Sequence, residues 1–284
     1  MDDGRLSYTL QMTQQKINID FNQILEVADK PVQRAAAFMG LGLNAAYDKK
    51  FKNYQLAPIT QIEVIPSNLN DNSISHLKNE FALWIIAGGL NELIEGFESF
   101  LMKIHSILLV INLNKCRMSR PEARKERKIF SYIGLKGKLS LLREKHNLIL
   151  ENTPYLESLA FARNCFTHRH GIVGQADLKN GESELTIEWK GMEVFVSTPN
   201  GEEISIIPAR GRESIFLKEG GDVKLRPNVV RSSKFSKGQL IQFSPYDLAE
   251  ICLFIRRTSK EFIQEAQAYV KNEGILEEDQ KAER

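Results

Sequence analysis

Ala162-Arg163-Asn164-Cys165-Phe166-Thr167-His168-Arg169-His170-Gly171-Ile172-Val173 is the stretch on which the reading of the fold turns. Leu156, Leu159, Ala160 and Ala162 lead into it at helical spacing from Pro154, and Gly171 can take the left-handed conformation that closes a helix. The stretch therefore puts a guanidinium, an amide and imidazoles at the C-terminal end of a helix. Periodic segments on either side extend that helix into a mainly α frame.

Upstream, Phe97, Leu101, Ile104, Leu108 and Ile111 recur at helical spacing, an apolar stripe wide enough to face a bundle core and the mark of the longest helix. A second helix begins after Pro121, a residue suited to a first helical turn because it lacks the amide hydrogen left unpaired there. It carries Ile129, Tyr132, Ile133, Leu139 and Leu142 inward, weakened by Gly134 and Gly137. The helix ending at Arg163–His168 is the third, and a last one spans about 246–271 with Leu248, Ile251, Cys252, Ile255, Phe262 and Ile263 on one face. Four such helices make a bundle.

Between the third and last helices the period changes from helical to two. Leu185, Ile187 and Trp189 alternate with Glu184, Thr186 and Glu188, and Lys190-Gly191 reads as a hairpin turn into Met192, Val194 and Val196. Asn200-Gly201 and Gly220-Gly221 offer further turns, with short strands at 204–207 and 214–218. Polar residues 67–73 read as a linker. The expectation is mainly α: an N-terminal extension at 1–72, with a helix at 32–54 and an extended piece at 61–65, then a helical bundle at 73–284. A small β-rich insertion at about 183–230 precedes the last helix, and the charged end, 277–284, is expected to fray.

Lys and Arg number 38 against 36 Asp and Glu, so no global field marks the chain as a nucleic-acid binder and any affinity for RNA must be local. Cys116, Cys165 and Cys252 are widely spaced and odd in number, which supports neither a disulfide framework nor a cysteine zinc site. The polar start, residues 1–11, lacks the pattern of a secretory signal, and the apolar region 81–113 is interrupted by Glu92, Glu95, Glu98 and Lys103. A cytoplasmic protein without a membrane anchor is the expectation. No Gly-rich phosphate loop or Gly-x-Ser-x-Gly elbow supports ATP hydrolysis or serine chemistry.

The residues at the end of the third helix have a definite chemistry. RNA is cut by its own 2′-hydroxyl when one group removes that proton, another protonates the leaving oxygen and a cation stabilises the phosphorane-like transition state. Imidazole exchanges protons near neutral pH, and guanidinium stays charged and holds two phosphate oxygens. This makes His168 the proton-transfer group and Arg163 the phosphate clamp. At about 100° per residue, Asn164 and His168 share a helix face while Arg163 and His168 are offset by roughly 140°. His170 lies nearly in line with Arg163, and on spacing alone it is an equal candidate.

Arg163-Asn164 followed by three residues and His168 resembles the signature of the HEPN superfamily, an Arg followed by a polar residue and then, a few positions later, a His. The resemblance favours His168 over His170, which stays second choice. It implies a homodimer in which two such helices face each other to form a composite active site. It further implies a metal-independent endoribonuclease leaving a 2′,3′-cyclic phosphate, with Asn164 positioning the histidine, the arginine or the phosphate. Defence, stress or toxin-antitoxin settings, with a protein antitoxin or regulator as partner, follow from the resemblance alone. The rival reading is a catalytically silent HEPN-like module that dimerises or binds a partner protein. A third is a helical sensor with Arg163 in a ligand pocket. More simply, Arg and His suit any helix C-terminus, where cations offset the dipole.

Lys115, Arg117, Arg120, Arg124, Lys125, Arg127 and Lys128 form the densest basic segment. Arg117, Arg120, Arg124 and Lys125, with Arg169, are candidate RNA contacts, against the plainer reading of a solvated corner between helices. Glu92 and Glu95 are placed where they can meet Arg163 across the bundle. His76, His105 and His146 stand isolated in sequence, without partners at metal-ligand spacing, so no metal and no cofactor are expected. Gly88-Gly89 suits close helix packing.

Overall fold

The structure is a computed structural model that describes residues 19–52, 54, 65–66, 68–178, 181–205 and 220–275. Among these, six α-helices and a three-stranded antiparallel sheet follow the order α1 (Phe21–Tyr47), α2 (Asp71–Asn114), α3 (Arg120–Tyr132), α4 (Leu135–His146), α5 (Thr153–Arg169), β1 (Glu184–Ser197), β2 (Glu203–Ser205), β3 (Asp222–Ser236) and α6 (Pro245–Asn272). The protein is mainly helical, as the periodicity predicts. No helix among the described residues is long and apolar enough to cross a membrane. The expected segments at 1–11, 61–64, 214–218 and 277–284 lie outside the described residues.

Helix α2 is the axis of the assembly: α1, α3, α4, α5 and α6 all touch it. Leu90, Phe97, Phe100, Leu101, Ile104, Leu108 and Ile111 of α2 are essentially inaccessible and meet Phe130, Leu142, Leu159 and Phe262 from its neighbours in one continuous core. Asn70 starts this helix by accepting the Ser73 amide at 2.8 Å, so the expected linker already contains its first turn.

Helix α1 begins at Phe21, well before the expected residue 32, because Asp20 caps it and Pro31 is carried inside, and it ends at Tyr47, short of the expected 54, where Asp48 turns extended. The pyrrolidine ring removes one helical hydrogen bond. It is nevertheless buried against Gly96 of α2, where even a methyl group would collide with it. Gly89 gives the same close approach to Met39, whereas Gly88 faces open space. Residues Ala28, Val32, Ala35, Met39 and Leu43 thus join the common core.

The single helix expected after Pro121 is two. Ser119 and Glu122 form a capping box that starts α3, and Gly134 separates α3 from α4 with extended backbone. The sheet also differs from expectation. Lys190-Gly191 is no turn: β1 runs straight through it, paired with β3 along its length. Gly191 opposes Val229 and Met192 opposes Pro227, so Asn228 is extruded as a bulge with φ +64°. The expected turn at Asn200-Gly201 does form and leads into β2.

The sheet is fixed to the helices by polar contacts as well as by Leu185, Ile187 and Trp189. Ser158 of α5 accepts the Glu188 amide at 2.7 Å. Glu250 of α6 is buried and accepts from Trp189 Nε1 at 3.2 Å, the Met192 amide at 3.1 Å, Tyr246 Oη at 3.0 Å and Arg231 Nε at 3.2 Å. Burial would raise the Glu250 pKa, but these donors, Arg231 foremost, hold it below the ordinary carboxylate value.

Candidate functional site

Helix α5 turns Leu156, Leu159, Ala162, Cys165 and Phe166 into the core, leaving Arg163 and Asn164 at the margin and Thr167 and His168 outside. The helix stays regular through Arg169 and ends with His170 at φ +52° and Gly171 at φ +80°. The left-handed ending expected of Gly171 is therefore shared with His170. The Gly171 amide donates back to the Cys165 carbonyl at 3.2 Å, a helix-closing bond. Beyond it the chain pairs with the approach to α6: Val173 donates to Gln239 at 2.9 Å, Gly238 to Val173 at 2.8 Å and Ile241 to Gly171 at 2.8 Å.

Because α5 does not distort, Arg163 and His168 point in different directions within one chain. Arg163 reaches inward, its Nη2 lying 3.5 Å from Glu98 Oε1 on α2. The other Glu98 oxygen accepts Lys138 Nζ of α4 at 2.6 Å, and Lys138, itself buried, also donates to the Ile133 carbonyl. Two cations thus share one carboxylate, and Arg163 Nε is buried with no acceptor. The site can attract an anion: its net charge is positive, and the Arg163 ion pair is too long for a good hydrogen bond.

Glu98 takes the place expected of Glu92 or Glu95. Glu92 pairs instead with Arg34 of α1, with Nε at 2.9 Å, and Glu95, three residues before Glu98 on α2, is exposed. Asn164 is half-buried, and His168 and His170 are exposed. Their side chains form no hydrogen bond or ion pair among the described residues.

Of the candidate RNA contacts, Arg120, Arg124 and Lys125 are exposed on α3. Arg117 is held by Glu273 at 2.8 Å together with Lys115 at 2.6 Å, and those two cations pull the Glu273 carboxyl down to about 2. Arg169 makes a two-pronged ion pair with buried Asp177, one prong at 2.6 Å, and Asp177 also accepts the Gly174 amide at 2.8 Å. This clasp fastens the 3-10 turn at Gln175–Asp177 against the end of α5.

A second constellation went unseen in the sequence. His105 and His146, expected to be isolated, converge on Glu126: their Nε2 atoms lie 3.1 and 3.3 Å from the same Oε1. Lys145 Nζ sits 2.6 Å from Oε2. The three side chains are buried, and His105 stacks on Phe130 with centroids 3.9 Å apart. Burial holds both imidazoles below their ordinary pKa against the opposing pull of Glu126. For Glu126, burial acts to raise the pKa, but the Lys145 and histidine contacts leave it lowered. The Nδ1 atoms of both rings are buried without partners. His76 is exposed.

The chain matches no protein-family model, no curated protein and no solved structure.

Proposed function

We propose that the chain is a HEPN-like, metal-independent endoribonuclease that acts as a homodimer. The observation that carries this reading is the incompletely paired Arg163 guanidinium at the margin of α5, beside an outer face that presents Asn164 and His168 unpartnered. The roughly 140° offset between Arg163 and His168 keeps them from one substrate oxygen within a chain, so the composite site requires two copies. With two α5 helices apposed, His168 of one copy removes the 2′-hydroxyl proton as the 2′-oxygen attacks phosphorus. The bond to the 5′-oxygen breaks, and His168 of the other copy, which starts as the imidazolium, donates its proton to that oxygen. Arg163 moves from Glu98 to the phosphate, stabilising charge that develops in the transition state. Arg120, Arg124 and Lys125 supply exposed positive charge for the RNA backbone, and Arg117 and Arg169 stay in their ion pairs.

The test is RNA cleavage by the purified protein in magnesium-free buffer with EDTA, with oligomeric state measured alongside. His168→Ala and Arg163→Ala are each expected to lower the rate by about 100-fold or more while leaving the fold and the dimer intact. His170→Ala is expected to retain activity. Undiminished cleavage in both of the first two variants rejects the site. A folded dimer that cleaves nothing supports the rival reading, a silent dimerisation or partner-binding module, which the Arg163–Glu98 pairing favours.

A further inference from the structure

We propose that His105, Glu126 and His146 bind one divalent metal ion of the zinc class, which ties α2, α3 and α4 together. One potential ligand atom from each residue lies within 4.8 Å of the other two. The two nitrogen-to-oxygen spacings fit a coordination shell. Zinc binds imidazole nitrogen and carboxylate oxygen at about 2.0–2.1 Å, so neighbouring donors of a tetrahedron stand about 3.3 Å apart. The two Nε2 to Oε1 separations are 3.1 and 3.3 Å. Two nitrogens and one oxygen suit zinc and its transition-metal neighbours, whereas magnesium and calcium prefer oxygen throughout.

Hydrogen bonding satisfies Glu126 but leaves one idle nitrogen on each ring. Both rings would direct an N–H at one carboxylate oxygen, and neither Nδ1 has a partner. An ion taking both Nε2 lone pairs gives all three groups a common centre, the ring protons moving to the two Nδ1 atoms. The second Glu126 oxygen is already held by Lys145, the kind of outer contact that fixes a ligating carboxylate. The Lys145 side chain is 52% exposed, so this outer contact reaches solvent. Three protein ligands leave the fourth tetrahedral position to a water, and burial of the trio keeps this ion apart from the chemistry proposed for α5.

The experiment is zinc titration of chelator-treated, dialysed full-length protein, followed by calorimetry and thermal unfolding, with cobalt(II) as a spectroscopic probe. One zinc per chain, a higher Tm with zinc and the visible bands of tetrahedral cobalt are expected. Glu126→Gln and His146→Gln should abolish the stoichiometric event. Lys145→Met, a change at a half-exposed position that spares the fold, should weaken it by about 10-fold to 100-fold. His168→Ala and His170→Ala should leave it unchanged, which separates it from binding at surface histidines. Absence of both the Tm rise and the cobalt bands in the parent protein overturns the proposal, as does undiminished binding in the Glu126 and His146 variants.

Discussion

Glu126 and Glu250 are both buried glutamates, and they are satisfied in opposite ways. Glu250 accepts from an indole, a backbone amide, a phenol and a guanidinium, and every donor belongs to the junction between α6 and the sheet. Glu126 instead faces two imidazoles that crowd one oxygen and keep a buried nitrogen unpaired on each ring. A buried carboxylate surrounded by matched donors is a structural joint, because removing it leaves those donors without their acceptor. One whose neighbours are themselves lone-pair donors has the composition of a ligand set.

The sharpest way to break this contrast is to delete each carboxylate. Glu250→Ala leaves the Trp189 and Met192 N–H groups and the Arg231 guanidinium without their acceptor, and urea unfolding should show a loss of about 2–3 kcal/mol. Gly191→Val comes next. A Cβ at Gly191 would stand 2.5 Å from a Glu250 oxygen, so this variant should lose about 1–3 kcal/mol by displacing the carboxylate. In metal-free protein Glu126→Ala should cost about 1–2 kcal/mol, since neutral imidazoles and a half-exposed lysine lose less than a stranded guanidinium does. A larger loss for Glu126→Ala than for Glu250→Ala would reverse the assignment of roles.

The smallest effect is in pH dependence. The folded Glu250 pKa lies below its unfolded value, so at acid pH the unfolded chain binds the extra proton. Its contribution is complete above about pH 4.3 and is lost as pH falls toward the folded value. Denaturation midpoints measured across this range should fall less steeply for Glu250→Gln than for the parent.

The helices were legible because their apolar residues repeat with a strong period, and α5 and α6 end within a residue or two of expectation. What failed were the positions where one local signal had two meanings. The helix expected at 32–54 starts earlier because Pro31, which falls inside it, is accommodated by Gly96, a residue distant in sequence. Lys190-Gly191 reads as a turn, yet Gly191 is small because Glu250 approaches the strand there. Strand β3 escaped notice because most of its residues are exposed and Pro227 interrupts the brief alternation of Val223 and Leu225 with Lys224 and Arg226.

The candidate residues of α5 were legible as a motif, but their neighbours were not, since helical spacing gives direction without giving the partner opposite. Glu98 was chosen over Glu95 by the rotation of α2 against α5. The histidine pair had a signal that went unused. His105 lies in the buried stripe of α2, Glu126 falls between Ala123 and Phe130 on the inner face of α3, and His146 follows Leu139 and Leu142 on α4. Three polar residues, each on the inward face of its own helix, are a cluster waiting to be assembled.

Glu98 and His105 are seven residues apart on α2, about 10.5 Å along the axis and within roughly 20° of the same bearing. One unbroken rod therefore carries an anchor of Arg163 at one station and a prospective metal ligand at the next. Both stations are thereby held in fixed register by a single helix, whatever either of them binds.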